Sequence, residues 1–404
     1  MLESFLHRLE ELYPEMVELR RILHAEPELS FQEEKTPIMI ADYLESLGVE
    51  VLRGVGGRGV VGYIKGEKPG KTVALRADFD ALPIQEETGL PFASKTPDVM
   101  HACGHDGHTA TLLVIAKVLM EYRGQLAGTV VLIHQFAEEL APGGAIEMIK
   151  DGCLDGVDAI YGTHLWSTMP LGQIGYRQGP IMAAADRFEL VIRGRGGHGA
   201  SPHETVDSIT VAASVVSQLQ HIVSRNIDPL KSAVISIGSF HAGGAFNVIA
   251  DSASIVGTVR TFDVAVQDFI MERIEQITKG ICDAMGAEFS FEYKKGYPAV
   301  VNDPFETTHF VQVANSVQDN SLVYEMEPVM GGEDFSYYLQ HVPGTFFFTG
   351  AGNVEKGIVY PHHHPKFDFD EGAMLIAAKC LGKAALDFLN RSESQTQKEE
   401  QTSQ

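Results

Sequence analysis

The sequence predicts an α/β protein with a mixed, mostly parallel sheet, helices on both sheet faces, and an inserted ferredoxin-like α+β domain. Three short apolar runs, KTVALRADFD, GTVVLIHQFAEE and DAIYGTHL, alternate with helix-like segments, which is typical of a mostly parallel sheet. Further along, the element order becomes β-α-β-β-α-β, the order of a ferredoxin-like sandwich. At 404 residues the chain is too long for one ordinary core, so two domains are expected.

Composition and charge narrow the class of protein. Hydrophobic residues make up 44% and charged residues 21%, as in globular proteins. The 31 basic and 54 acidic residues give a net charge of −23, which argues against a nucleic-acid or membrane-surface partner. The four scattered cysteines are not a disulfide framework. Without a signal-peptide pattern or a run of roughly 18 apolar residues, we expect a cytoplasmic protein.

The first domain is predicted over residues 1–180. It opens with two helices, one with apolar residues at helical spacing from Phe5 to Leu23 and one over Glu33–Leu47. A β-branched, glycine-rich strand pair follows over Leu52–Ile64. The three apolar runs are then separated by predicted helices at Thr109–Tyr122 and Gly144–Asp151.

The inserted domain is predicted over residues 181–295, with helices at Glu204–Ser224 and Val264–Met285 between strand-like runs. The α/β pattern resumes over residues 296–390, where the strand GTFFFTG lies between two predicted helices. Residues 391–404 are polar and without periodicity, and they predict a disordered tail.

Polar side chains follow each of the three apolar runs. Asp78 and Asp80 end the first run, Glu138 and Glu139 the second, and His164 the third. Ligands of open parallel sheets bind beyond the carboxyl ends of the strands, so these side chains are expected to converge.

The segment VMHACGHDGH, residues 99–108, holds the densest coordination chemistry in the chain. Its potential metal ligands are His101, Cys103, His105, Asp106 and His108. If the segment is extended, Cys103 and His105 point the same way, because side chains two residues apart share a side. Thiolate and imidazole suit zinc and related metals. The alternative is a histidine-rich loop with some solvated members.

Glu138 and Glu139 are adjacent carboxylates at a predicted strand end. Neighbouring side chains in a strand face opposite sides, so one could bind metal while the other addresses a water molecule. That division suits metal-assisted hydrolysis. An acidic turn is the alternative. His164 and the run His362–His364 offer further imidazoles, although one or two of the three are expected to be solvated.

Three candidates fall in the inserted domain. His198 lies in the glycine-rich segment RGRGGHGASPH, where glycines permit close backbone approach to a ligand, or simply form a turn. Asn247 could cap a turn or contact substrate. Arg260 ends a strand, where it could bind a carboxylate or lie on the surface.

Taken together, the motifs resemble the aminoacylase/carboxypeptidase superfamily of di-metal hydrolases. Within it, the chain is similar to the amidohydrolase branch of hippurate hydrolases, N-acyl-amino-acid amidohydrolases and auxin-conjugate hydrolases. The resemblance spans residues 15–390 and rests on RADFDALP, MHACGHDGHTA, QFAEE, GTHL, GRGGHGASPH, NVIADSASIVGTVR, GGEDFSYYL and PHHHPKF. It implies a di-metal exopeptidase-like catalytic domain with an inserted lid domain.

The resemblance also implies a set of site residues. Two divalent metals (Mn, Zn, Co or Ni) would be held by Cys103, His105, Glu139, His164 and His363. Glu138 would be the general base, Asp80 would lie beside the metals, and His198 would stabilise the oxyanion. Asn247 and Arg260 would bind the substrate and its carboxylate.

The implied activity is hydrolysis of N-acyl amino acids to a carboxylate and a free amino acid. The alternatives are a metallo-dipeptidase or carboxypeptidase and, less favoured, a non-catalytic amino-acid-binding relative. A homodimer or homotetramer through the lid is expected. Two departures stand out: Asp78 replaces a histidine ligand of the di-zinc carboxypeptidase branch, and Phe136 replaces the proline of many relatives.

Overall fold

A computed structural model describes residues 2–391 of the chain, so the predicted disordered tail lies outside the described residues except for Arg391. The described chain divides into two compact units. The first contains residues 2–181, 300–327 and 334–391, and the second contains residues 182–299 and 328–333. Residues 296–299 and 328–333, which the sequence assigned to the sheet domain, thus belong to the second unit, and Ile181, assigned to the inserted domain, belongs to the first. No described helix is both long and apolar enough to cross a bilayer.

The described residues form ten α-helices and sixteen strands, besides five short 3-10 or π-helical turns. The helices are α1 Leu2–Glu11, α2 Tyr13–Ala25, α3 Lys35–Ser46, α4 His105–Glu121, α5 Gly144–Lys150, α6 Ser208–His221, α7 Val264–Met285, α8 Pro304–Val317, α9 Phe335–Leu339 and α10 Gly372–Asn390. The strands are β1 Glu50–Val55, β2 Gly59–Lys65, β3 Lys68–Asp78, β4 Ala127–Gln135, β5 Ala159–Pro170, β6 Ile174–Tyr176, β7 Gly179–Met182, β8 Ala184–Arg193, β9 Gly197–His198, β10 Ala233–Ala242, β11 Val248–Ile249, β12 Ser252–Thr261, β13 Glu288–Tyr297, β14 Val300–Asn302, β15 Val323–Glu325 and β16 Gly344–Gly352.

The first unit is built on an eight-stranded mixed sheet. Its strand order is β1-β2-β4-β3-β5-β16-β6-β15. The pairs β4/β3, β3/β5 and β5/β16 at its centre and the edge pair β6/β15 are parallel, whereas β1/β2, β2/β4 and β16/β6 are antiparallel. The predicted mixed, mostly parallel sheet is therefore confirmed, and the antiparallel pairs flank its parallel centre.

Helices cover both faces of this sheet, as the sequence predicts. Tyr161 of β5 makes an edge-on ring contact with Phe388 of α10. A Cβ added to its neighbour Gly162 would lie 2.7 Å from the ring of Phe335 in α9. Because adjacent residues of a strand face opposite sides, α10 and α9 lie on opposite faces.

The second unit contains a four-stranded antiparallel sheet with two helices. The strand order is β10-β12-β8-β13, and the chain order β8-α6-β10-β12-α7-β13 is the predicted β-α-β-β-α-β arrangement. Phe188, Leu190 and Ile192 alternate along β8 and are fully buried against α6 and α7 residues. Asp207 and Asp263 cap the two helices through their carboxylates.

Helix boundaries differ from the sequence prediction most clearly at three places. The predicted first helix is two helices, α1 and α2, and Pro14 occupies the first turn of α2, where its missing N–H is tolerated. Helix α6 begins at Ser208 rather than Glu204, because Asp207 is its cap. Helix α4 begins at His105 rather than Thr109, which changes the geometry of the candidate site.

Candidate metal centre

Side chains from several segments of the first unit converge near the carboxyl end of β3. The donor atoms of Cys103, His105 and His164 lie within 4.8 Å of one another, and so do those of Cys103, Glu139 and His363. These two triplets share Cys103 and together use all five ligands that the resemblance implies. A third triplet joins His105 and Glu139 to Glu138. The predicted convergence of the strand ends is thus found in the fold.

Cys103 and His105 converge through a backbone geometry that the sequence did not predict. The segment is not extended: Gly104 has a φ of 96°, and His105 is the first residue of α4. A left-handed φ is readily adopted by glycine, so Gly104 allows the chain to turn sharply between the two ligands. The i, i+2 argument from extended geometry was therefore wrong, although the two side chains do converge.

The Glu138–Glu139 pair also departs from its predicted geometry. Strand β4 ends at Gln135, and Ala137 has a φ of 51°, so the two acids follow a turn rather than lying in a strand. His105 Nε2 lies 3.8 Å from a carboxylate oxygen of Glu138 and 3.9 Å from one of Glu139. Both carboxylates thus face the same cluster, and the prediction that they face opposite sides was wrong.

Hydrogen bonds fix the tautomers of two histidines. The Nδ1 of His105 lies 3.0 Å from the backbone oxygen of Asp80 and 3.2 Å from its carboxylate, so it is the protonated nitrogen. His105 Nε2 is buried without a hydrogen-bond partner. His164 donates from Nδ1 to the Leu165 carbonyl at 2.8 Å, which leaves its Nε2 lone pair 3.4 Å from Cys103 Sγ. Metal-ligating histidines have this arrangement.

His108 is held away from a ligand role by its own bonds. Its Nδ1 donates to Asp78 at 2.6 Å, and its Nε2 accepts the backbone N–H of Leu165 at 2.9 Å. Asp78 in turn accepts from Arg76 at 2.6 Å. With both ring nitrogens engaged, His108 supports the backbone beside His164. Asp78 thus holds the His108 ring, and its other carboxylate oxygen lies 3.8 Å from His105 Nε2.

The electrostatic environment of the cluster favours bound cations. Burial, together with the carboxylates of Glu139 and Glu138, raises the pKa of the Cys103 thiol well above its usual range. Burial opposes protonation of His105, yet the nearby Asp78 and Asp80 carboxylates raise its pKa to about 10. Both raised pKa values show that the carboxylates make this site electronegative. Divalent ions bound there would supply the compensating positive charge.

The distances between donors also fit metal binding. Donors bound at about 2.0–2.3 Å around a tetrahedral ion lie roughly 3.3–3.8 Å apart. The Cys103–His164 separation is 3.4 Å, and Glu139 Oε1 lies 3.3 Å from His363 Nε2. Burial lowers the pKa of His164, which keeps this imidazole neutral and able to coordinate. The residues present therefore fit a pair of divalent cations.

His363 belongs to a separate segment that is tied to the Cys103 loop. Its backbone N–H donates to the Ala102 carbonyl at 2.8 Å, and its φ is 64°. Its side chain is half-exposed. The adjacent His362 accepts the N–H of Ser167 at 3.3 Å and packs on Trp166, so it is partly enclosed.

Asp80 orients other groups at the site. It accepts a hydrogen bond from Ser30 Oγ at 2.7 Å and from the Glu139 backbone N–H at 3.0 Å, in addition to its contact with His105. Burial opposes ionisation, but the hydrogen bond to His105 lowers the pKa of Asp80 below its usual value. Its carboxylate thus links a predicted ligand, His105, to the turn that carries Glu139.

The three candidates of the second unit lie in two places within it. His198 ends β9 and pairs with Val248, and Gly199 donates its N–H to the Asn247 carbonyl at 2.8 Å. His198 and Asn247 are exposed. Arg260 is half-buried in β12, and it forms no ion pair with any carboxylate of the described residues. Such an arginine is available to a carboxylate ligand.

Sequence reasoning missed several supporting residues. Arg76 is buried in β3, where it donates to Asp78, Gln135 and Asp334. An arginine inside the apolar run KTVALRADFD is a signal that could have identified it, since unpaired charges are rarely buried. Glu33, which accepts the N–H of Ala137, gave no comparable signal among the many acids of this chain.

Similarities to known proteins extend over most of the chain. The model of the peptidase family M20/M25/M40 matches residues 74–387. The N-acyl-L-amino acid amidohydrolase of Geobacillus stearothermophilus is 49% identical over 300 residues, which cover 74% of this chain and 81% of that protein. Thermostable carboxypeptidase 1 of Saccharolobus solfataricus is 42% identical over 394 residues, 97% and 100% of the two chains. The crystal structure of Bacillus subtilis YXEP, described as a dinuclear metal-binding peptidase, covers 94% of this chain and 99% of its own, with a TM-score of 0.82 and 37% identity.

Proposed function

Because the chain belongs to the peptidase family M20/M25/M40, we propose that it is a metal-dependent amidohydrolase acting on N-acyl L-amino acids. The reaction gives a carboxylate and a free amino acid. The observation that carries the proposal is the pair of donor triplets that share Cys103, with the Glu138 carboxylate beside them. The similarity to an N-acyl-L-amino acid amidohydrolase supports the choice of substrate.

Two divalent cations would be held by the five donors of the triplets. Cys103 is common to both triplets, His105 and His164 complete one, and Glu139 and His363 complete the other. Bound ions supply Lewis-acid polarisation of the scissile carbonyl and a lowered water pKa. Thiolate and imidazole donors are compatible with manganese, zinc, cobalt or nickel.

The chain's own residues would move the proton and hold the substrate. Glu138 takes the proton of the attacking water and delivers it to the leaving amine, as a positioned general base and acid. His198 is proposed to stabilise the oxyanion. Asn247 and Arg260 are proposed to bind the substrate. The assignment of Arg260 to the carboxylate is supported by the absence of an ion pair with the described carboxylates.

A substrate panel tests the proposal. We expect the metal-loaded protein to hydrolyse N-acetyl- or N-benzoyl-amino acids faster than dipeptides with a free amine. Faster hydrolysis of the dipeptides would favour the second candidate, a dipeptidase or carboxypeptidase, which the 42% identity to a carboxypeptidase supports. No turnover across the panel with several metals would favour a non-catalytic binding protein. The variant Arg260→Met tests the proposed carboxylate contact, and it should raise KM for substrates with a free carboxylate.

Three further expectations are part of the same proposal. The second unit would act as a lid and carry the contacts of a homodimer or homotetramer, which light scattering of the full chain would measure. Nucleic acids and membranes would not be partners, as the net charge of −23 supports. A cytoplasmic location is supported by the four cysteines, all of which are free thiols.

A further inference from the structure

A short loop between α2 and α3 contacts the turn that carries Glu138 and Glu139. The ring of Phe31 packs edge-on against Phe136 at 5.8 Å. The carboxylate of Glu33 accepts the backbone N–H of Ala137 at 2.9 Å. The loop lies before residues 74–387, the part of the chain that matches the family model.

The contacted turn is conformationally strained. Ala137 has a φ of 51°, a left-handed conformation that side-chain-bearing residues adopt at a cost of roughly 1–3 kcal/mol. Such a residue persists only where its surroundings hold it in place. On one side, the Ala137 carbonyl accepts the N–H of Gly144 at 3.1 Å, and on the other, its N–H is held by Glu33.

Glu33 is itself fixed and fully enclosed. Its side chain is 0% exposed, and Arg58 donates to its backbone carbonyl. Its second carboxylate oxygen has no hydrogen-bond partner and lies 4.0 Å from the Arg58 guanidinium. A carboxyl group enclosed in this way, with one oxygen bonded to a strained turn, is not a solvated member of an acidic loop.

We propose that Glu33 is a positioning residue for Glu138, because its hydrogen bond to Ala137 holds the strained turn that aims the Glu138 carboxylate at the site. The proposal rests on the proposed function, in which Glu138 is the general base. In this role Glu33 touches no reacting atom and acts through its hydrogen bond to the backbone of Ala137. Displacement of a catalytic group by about 1 Å can lower turnover on the order of 100-fold.

The hydrogen-bond acceptor of Glu33 and its charge can be tested separately by substitution. Burial and the nearby Asp80 carboxylate raise the pKa of Glu33 to about 8, so its neutral form is accessible near neutral pH. Glutamine keeps an oxygen that can accept the Ala137 N–H, whereas alanine removes it. Glu33→Gln should therefore rescue the function that Glu33→Ala loses.

The experiment compares kinetics, metal content and amide exchange in Glu33→Ala, Glu33→Gln and a control, Glu34→Ala, whose side chain is exposed. We expect Glu33→Ala to lower kcat about 10- to 100-fold with KM within twofold and two metals per chain. Its Ala137 amide should exchange at least tenfold faster. Glu33→Gln should stay within about threefold of the parent in kcat and exchange, and Glu34→Ala should match the parent.

Three outcomes would overturn the proposal: unchanged kcat in Glu33→Ala, an equal loss in Glu33→Gln, or loss of metal in parallel with kcat. If the parent protein hydrolyses no N-acyl amino acid, the proposed function fails on its own. The exchange rate of the Ala137 amide then still decides whether Glu33 holds the turn.

Discussion

Replacement of Arg20 by methionine should destabilise the first unit strongly. The guanidinium is 1% exposed and donates to Asp106 at 2.9 Å, Asp368 at 2.8 Å and Glu371 at 3.1 Å. It also lies over the ring of Phe369, 4.2 Å from the centroid. Asp106 follows the predicted ligand His105 in α4, so this ion cluster holds the first turn of the helix that carries His105.

The size of the effect follows from burial. Methionine keeps the apolar contact with the ring but removes the charge, which leaves Asp106 buried with His24 as its remaining side-chain partner at 2.8 Å. Breaking one partner of a buried ion cluster costs about 3–5 kcal/mol. Arg21 offers a matched control, because it is 47% exposed and also pairs with Glu371 at 2.8 Å. Its replacement by methionine should cost at most about 1 kcal/mol.

The assay is equilibrium unfolding in urea, followed by tryptophan fluorescence. The sequence contains one tryptophan, Trp166, which lies in β5, so the signal reports the first unit. With a slope of about 3 kcal/mol per molar urea, Arg20→Met should lower the midpoint by about 1–2 M. Equal midpoints for Arg20→Met and Arg21→Met would refute the claim that burial sets the cost.

Three further predictions follow from the site and its supports. Glu138→Gln should lower kcat about 10²- to 10⁴-fold with metal content unchanged, and near-parental turnover would exclude it as the general base. His108→Phe should weaken metal binding about 10- to 100-fold in chelator competition, because it releases the Leu165 N–H beside His164; an unchanged affinity would contradict this. Burial raises the pKa of the Glu86 carboxyl group, but hydrogen bonds from His24 and other donors outweigh burial and lower this pKa to about 2. A lowered folded-state pKa stabilises the fold above the unfolded value near 4.3, so the destabilisation by Glu86→Gln should be full at pH 7 and shrink below about pH 5; a constant loss down to pH 3 would oppose this.

Most of the fold was predictable because its signals are local. The apolar runs, their alternation with helices and the β-α-β-β-α-β order of the second unit each come from periodicity in short windows. The sheet's strand ends then bring Glu139 and His164 towards the Cys103 loop, as expected for parallel strands.

The local geometry of the site was less predictable. The pairing of Cys103 with His105 depends on the φ of Gly104, and the common direction of Glu138 and Glu139 depends on the turn at Ala137. Backbone angles of single residues are set by contacts across the fold, such as Glu33 with Ala137, 104 residues apart. Local sequence patterns carry no information on such contacts.

Cobalt(II) titration of the metal-free protein tests the two-metal centre most directly. Thiolate coordination gives an absorption band, so the titration reports both the number of ions and the presence of Cys103 among their ligands. We predict two equivalents per chain in the parent protein, and loss of the thiolate band with weakened binding of both ions in Cys103→Ala, since both triplets use this residue. A single equivalent, or the same band and stoichiometry in Cys103→Ala, would contradict the shared di-metal site.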